Sequence, residues 1–210
     1  MSFVDIPRLF SEEATVTVIG GGSSLAGFPF ERLQSPTIGV NVAGLLLGTD
    51  VCFSLDHRFP QEHLPGIREY LSVGGELWLA QSPSRHEYPI EEARYLQRRR
   101  GVFATNTYEV FGSSSGFGAL NFAVTAGARK IVLLGIDMTV SEESLSHWHD
   151  EYPAVEPQGL FTRWAREFEQ AAPHLAEKSV EVTNVVGVPK SALTCFPTMS
   201  IDEFLGTLPS

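Results

Sequence analysis

The chain has 210 residues, 43% of them apolar and 19% charged, with a formal charge of −10. That balance excludes a disordered chain, fits one domain with a substantial core, and argues against non-specific binding to nucleic acid, though not against a small anionic ligand held in a pocket. No apolar run is long enough to cross a bilayer, the start MSFVDIPRLFSEEA lacks the layout of a secretory signal, and two cysteines, Cys52 and Cys195, suit a reduced cytoplasm better than a disulfide framework. The expectation is a cytoplasmic protein of one domain over residues 1–210, its oligomeric state open and compatible with a homo-oligomer.

In chain order, Ala14–Ile19 (ATVTVI) reads as a strand that runs straight into Gly20-Gly21-Gly22-Ser23-Ser24-Leu25. Strand, glycine turn and helix start form the layout of a phosphate-binding turn, in which glycines admit the ligand and amides and hydroxyls donate to it. GGGSSLAG is neither a full dinucleotide fingerprint nor a Walker A loop, and a tight turn without a ligand is an equal reading. Thr37–Val42 and Asp50–Leu55 are the next strands; Asn41 and Asp56 stand near their carboxyl ends, where α/β proteins bind ligands. Asp56 has a plainer use as the ion-pair partner of Arg58. Gln61–Leu71 reads as a short helix broken at Pro65-Gly66, Glu76–Ala80 as a strand followed by the loop from Gln81 to His86, Ile90–Arg100 as a helix ending in a basic triplet that could bind phosphate but is more commonly a solvated helix end, and Val102–Ala104 as an edge strand before a loop from Thr105 to Ser115.

The stretch from Gly112 to Asp137 (GSSSGFGALNFAVTAGARKIVLLGID) carries the strongest local signal. A serine-glycine loop opens into an Ala-rich helix, Phe117–Ala128, followed by a strand, Ile131–Leu134, and an acid, Asp137. Ser113, Ser114 or Ser115 can cap the helix, whose free N–H groups beside hydroxyls and glycine make an anion site. The polar segment Thr139–Gly159 sits where a substrate-covering loop belongs and holds His147-Trp148-His149-Asp150. His-x-His without a clear third ligand is a weak metal signal, and a catalytic histidine is the sharper alternative. Gln158–Glu177 is an amphipathic helix with Phe161, Trp164, Phe168, Ala172 and Leu175 on one face, read as core packing, with Pro173 expected to kink or shorten it. Val180–Val186 is the last strand, Val188–Ser200 a loop and Ile201–Leu205 a helical turn.

Taken together, the glycine turn at Gly20–Ser24, Asn41, the SSSG of residues 113–116, LLGIDM at 133–138 and the closing Asn184, Ser191, Leu193, Phe196 and Pro197 occur in an order that resembles the family 42 sialyltransferases and the related MptE-like proteins. The likeness extends from about Val16 to about Phe204. It implies a single Rossmann-like α/β domain, mainly parallel, with helices on both faces. It further implies a nucleotide-sugar-dependent glycosyltransferase using a CMP-activated donor, with Gly21, Gly22, Ser23, Asn41, Ser114, Ser115 and Gly116 at the nucleotide; Asp56 joins this nucleotide-binding set from its own place at a strand end. A histidine after the Gly-x-Asp strand would be the general base on an acceptor hydroxyl. His149 is preferred to His147 because Asp150 adjoins it. The acceptor is not implied.

This chain departs from that pattern. Its first loop lacks the family's Gly-Asn-Gly, and Tyr152 is the one tyrosine where the family carries a pair that helps the phosphate leave. The transferase reading needs no metal or other cofactor. The MptE-like alternative is a pyrophosphate transfer from ATP that needs Mg²⁺ held by carboxylates, with Asp56 and Asp137 as candidates. A nucleotide-binding protein without catalysis is the third reading.

Overall fold

In a computed structural model the residues described are 2–34, 36–81, 90–103, 106–139, 147–151, 157–188 and 190–208. Among these residues the strands are β1 (Thr15–Ile19), β2 (Thr37–Val40), β3 (Val51–Ser54), β4 (Glu76–Leu79), β5 (Arg94–Tyr95), β6 (Gln97–Arg99), β7 (Glu109–Phe111), β8 (Lys130–Leu134), β9 (Glu181–Val186) and β10 (Thr198–Ser200). The helices are α1 (Val42–Leu47), α2 (Phe59–Glu62), α3 (Leu64–Ser72), α4 (Ser115–Thr125), α5 (Gln158–Glu177) and α6 (Ile201–Thr207). Eight strands make one sheet in the order β10-β9-β8-β1-β2-β3-β4-β5, with every adjacent pair parallel, and β6 and β7 form a separate parallel pair.

The period of two along each strand divides the core between the two faces of the sheet. Val16 and Val18 of β1, Phe53 of β3, Trp78 of β4 and Ile131 and Leu133 of β8 pack on one face with Phe117, Leu120 and Phe122 of α4 and Phe168 and Leu175 of α5. On the other face, Cys52, Leu77 and Leu79 meet Ile67 and Tyr70 of α3, while Ile19, Val132 and Leu134 meet Leu25, Phe28 and Phe204 of α6. Strands covered on both sides read as continuous apolar runs, which is why TVTVI and KIVLL are legible as buried parallel strands. Helix α4 is buried from Gly116 to Val124 and is apolar on every side. Its one buried amide, Asn121, accepts from Phe111 N–H at 2.8 Å and ties the helix to β7.

The expected α/β architecture is present, with local differences. Residues expected as a helix at Ile90–Arg100 instead make a turn and the strands β5 and β6. Arg94 pairs with Glu76 at 3.3 Å and lies 5.1 Å from the Trp78 ring, so sheet-edge contacts outweigh the segment's helical charge pattern. Val102 and Phe103 lie in a bend, and β7 falls inside the segment read as a loop, as β10 does further on. The strand read as Thr37–Val42 stops at Val40, and Asn41 starts α1. The break between α2 and α3 comes at His63, which leaves Pro65 in the first turn of α3, where its missing N–H costs nothing. Helix α5 runs through Pro173 to Glu177. Cys52 and Cys195 are both free. No described helix is long and apolar enough to cross a membrane. Of the loop expected from Gln81 to His86, residues 82–86 lie outside the described residues, as does Tyr152.

Close approach of β2 to α1 supplies a direct test of the fold. A Cβ on Gly39 would stand 2.2 Å from Gly44 Cα and 2.6 Å from Gly44 N, both backbone atoms. Gly39→Ala is expected to destabilise the protein by at least about 2 kcal/mol, read as a lowered Tm in thermal unfolding. An unchanged Tm would mean that α1 does not pack on β2 as described.

Candidate functional site

From β1 the chain proceeds outward through β2, β3 and β4 on one side, while β8, β9 and β10 fill the other. The strand order therefore reverses at β1, and the crevice beyond the carboxyl ends of β1 and β8 is the place where an open α/β sheet accepts a ligand. A cleft of about 880 Å³ opens there. Gly21, Gly22, Asn41, Asp56, Ser114, Ser115, Gly116, Asp137, His147 and His149 all line it, so residues far apart in the sequence are brought together. Ser23, the remaining residue expected here, is buried in the turn beneath, and its Oγ has no hydrogen-bond partner. A second cleft, of about 600 Å³, lies among Pro36, Gly48, Thr49, Val73 and Gly74, away from all of these side chains.

Contacts from within the chain hold the glycine turn. Gly22 N–H donates to Gly135 C=O at 2.8 Å, and Ser24 donates to Asp137 twice, from its N–H at 2.9 Å and from its hydroxyl at 2.6 Å. Asp137 is buried; burial raises its pKa, and the Ser24 bonds pull against that rise without cancelling it. A Cβ on Gly20 would lie 2.4 Å from Gly135 O, one on Gly21 2.5 Å from His147 Cδ2, and one on Gly22 2.4 Å from Asp137 Oδ2. The three glycines are thus required by the chain's own close packing, whatever ligand the turn meets.

The histidines are stapled to the same turn. His147 forms an isolated antiparallel bridge with Gly22, Trp148 N–H donates to Gly21 C=O at 2.9 Å, and the indole Nε1 of Trp148 donates to Gly20 C=O at 3.1 Å. The Trp148 ring packs against Phe30 with centroids 4.6 Å apart. The imidazoles of His147 and His149 are 5.3 Å apart, and a Cβ on Gly21 would be 3.3 Å from His149 Nε2. Burial and then the neighbouring His149 bring the pKa of His147 down to about 4. His149 is also lowered, by burial first and by His63 second, while Asp150 pulls the other way. His63 in turn lies 3.7 Å from Glu151.

The serine loop is engaged in building the site. Ser114 caps α4 by accepting from Phe117 N–H at 3.2 Å, Ser115 Oγ accepts from Leu55 N–H at 3.0 Å, and Ser113 donates to Glu167 of α5 from its N–H at 3.0 Å and its hydroxyl at 2.5 Å. Asp56 binds Arg58 at 3.0 Å; burial pushes the carboxyl up, but the Arg58 hydrogen bonds outweigh it and hold Asp56 below its ordinary value. The two carboxylates considered for Mg²⁺ are therefore committed, Asp56 to Arg58 and Asp137 to Ser24. Among the described residues no group of three His, Cys, Asp or Glu side chains is placed to hold a metal.

Asn41 differs from these. It sits at φ 53° and ψ −128°, a backbone region that glycine occupies freely and other residues rarely do, and its side chain makes no cap to α1. Its Oδ1 is buried without a hydrogen-bond partner among the described residues. The sequence reading also missed part of the lining: Arg58, Glu62 and Arg98, together with Leu160, Arg163 and Trp164 of α5. Trp164 is therefore not simply core packing, and Arg98 is not the end of a helix. The apolar period of α5 was the available signal, but it does not tell a residue facing the core from one facing a cleft at the helix's open end.

No family model matches the chain, and no curated protein matches it by sequence. Solved structures do. The MAf glycosyltransferase from Magnetospirillum magneticum AMB-1 superposes with a TM-score of 0.62 at 14% identity, over 99% of this chain and 36% of that one. This chain thus spans about a third of the length of that protein. The sialyltransferase CstII from Campylobacter jejuni, solved with the substrate analogue CMP-3FNeuAc, superposes with a TM-score of 0.51 at 12% identity, over 88% of this chain and 85% of that one. The likeness is one of fold: the chain has the Rossmann-like α/β scaffold that these glycosyltransferases also have.

Proposed function

We propose that the chain is a nucleotide-sugar-dependent glycosyltransferase of the sialyltransferase-like kind, with a CMP-type donor lying across the ends of β1, β2 and β3. The observation that carries this reading is Asn41. A residue held in a glycine-like conformation while its buried carbonyl oxygen lacks a donor is a cost that a bound partner would offset, and nucleobase and ribose groups supply such N–H and O–H donors. Gly21, Gly22 and the opening of α4 at Ser114, Ser115 and Gly116 are the proposed phosphate side, where backbone amides meet negative charge. The fold shared with CstII, solved in complex with the substrate analogue CMP-3FNeuAc, supports the choice of nucleotide. The commitment of Asp56 to Arg58 and Asp137 to Ser24 favours this reading over a Mg²⁺-dependent pyrophosphate transfer.

In the proposed reaction His149 accepts the proton of an acceptor hydroxyl as that oxygen attacks the anomeric carbon and the nucleotide leaves on its phosphate. His149 Nε2 faces the glycine turn, and the pull of Asp150 keeps its imidazole more basic than burial alone would. His147, brought down to about 4, is neutral but a weak base near neutral pH, and its proposed role is to position the turn through its bridge to Gly22.

The binding claim is tested by thermal shift. CMP at a hundred times its Kd should add about 2.7 kcal/mol without added metal, a rise of several degrees. Asn41→Gly is expected to leave the ligand-free Tm unchanged or raised, because the backbone strain is relieved, and to weaken CMP binding. A variant that binds CMP as well as the parent would remove the basis of the proposal. The catalytic claim is tested by the pH dependence of donor turnover. A base whose pKa is lowered is deprotonated and active at neutral pH, so kcat/KM should be level above about pH 6.5 and fall only at lower pH. His149→Ala should lower kcat by about 10²- to 10⁴-fold with CMP binding retained; full turnover in this variant would exclude His149 as the base.

A further inference from the structure

The wall that α5 lends to the cleft has donors without acceptors. Arg163 lines the cleft, is exposed and forms no ion pair with any described residue. Trp164, next in the chain, also lines the cleft, and its indole Nε1 is buried without a hydrogen-bond partner among the described residues. The described acids around the cleft do not answer them. Asp56 holds Arg58, Asp137 holds Ser24, Glu151 lies by His63, and Glu167 takes both donors of Ser113. Glu62 stands on α2, which packs on the opposite face of the sheet from α5. In a chain of net charge −10, an arginine at a cleft with no carboxylate partner among the described residues is not accounted for by the general charge balance.

The position of this wall is set by its neighbours. Gln158 Nε2 reaches Met138 C=O at 3.5 Å and Glu167 holds Ser113, so the segment between them is fixed against the end of β8 and the opening of α4. It borders the β8 half of the cleft, whereas Asn41 and Asp56 belong to the β2 and β3 half.

We propose that Arg163 and Trp164 form an anion-recognition subsite, which takes an acid group, phosphate or carboxylate, carried by a substrate that enters the β8 half of the cleft. A guanidinium offers paired N–H donors to two oxygens of such a group, and the indole N–H supplies a third donor on the same wall. The inference rests on the transferase reading for the identity of the substrates but not for the existence of the subsite. The acid group has two sources, the phosphate of the donor or a carboxylate on a sugar.

The experiment uses the full chain and its Arg163→Ala variant, titrated with CMP against cytidine and with glucuronate against glucose, and followed by thermal shift and by NMR line shape. If the phosphate is the source, the parent prefers CMP to cytidine and Arg163→Ala reduces that preference about tenfold, the weight of one charge-assisted hydrogen bond. If the carboxylate is the source, the parent prefers glucuronate to glucose, and the variant loses that preference while CMP binding is unchanged. Arg163→Lys, which keeps the charge but not the fork, should fall between, and Trp164→Phe should reduce the same preference as Arg163→Ala. The subsite is overturned if the parent shows neither preference, or if Arg163→Ala leaves both intact. Glucuronate binding with no response to CMP or cytidine would instead sink the nucleotide reading and leave the subsite standing.

Discussion

Closure of the first βα turn onto the end of β8 is the constraint on which the site depends. Ser24 gives both of its donors to Asp137, Gly22 binds Gly135, and Trp148 ties the histidine segment to Gly20 and Gly21. All of these contacts gather at the point where the strand order reverses. Side chains at three of the closest approaches would collide with the Gly135 carbonyl, the His147 imidazole or the buried Asp137 carboxylate, so the run of three glycines is as much a packing requirement as a ligand device. Ser191 continues the arrangement. Its Oγ is within 3.1 Å of Asp137 C=O and accepts from Asn184 Nδ2 at 3.0 Å, joining β9 to the same loop.

Such a closure leaves few groups available to a ligand. The serine hydroxyls of the α4 loop, which as a motif suggest phosphate contacts, are occupied by Phe117, Leu55 and Glu167. The cleft is therefore lined by backbone at the start of α4 and in the glycine turn, together with side chains that include Asn41, His149, Arg163 and Trp164. Backbone strain and an unpartnered oxygen coincide at Asn41, and the Trp164 indole N–H is likewise without a hydrogen-bond partner among the described residues. The proposed function assigns chemistry to this set and not to the residues that build the turn.

The architecture was legible in the sequence because its central strands are buried on both faces and read as unbroken apolar runs, with loop and helix signals between them. Helix α5 was legible for the opposite reason, a clean apolar period along twenty residues. Edges were not legible. The two residues of β5 owe their conformation to Arg94 meeting Trp78 and Glu76, contacts between segments that local propensity does not contain. At the site, the sequence placed Asn41, the serine loop and the histidines in one neighbourhood, but it could not show that Asp137 turns inward to Ser24. Nor could it show that Trp164 and Arg163 turn toward the cleft, since helical period alone does not distinguish a core from a cavity wall.

The central claim is that a nucleotide occupies the crevice at β1, with its base end near Asn41 and its phosphate at the glycine turn and α4. The most direct measurement is a titration of ¹⁵N-labelled protein with CMP, following each backbone amide. The account predicts that the largest shifts fall on Gly21, Gly22, Asn41, Ser115 and Gly116, with smaller ones across the rest of the sheet. Shifts confined to the cleft around Gly48 and Gly74, or no shift at saturating nucleotide, would contradict it and leave the likeness to glycosyltransferases as one of scaffold alone.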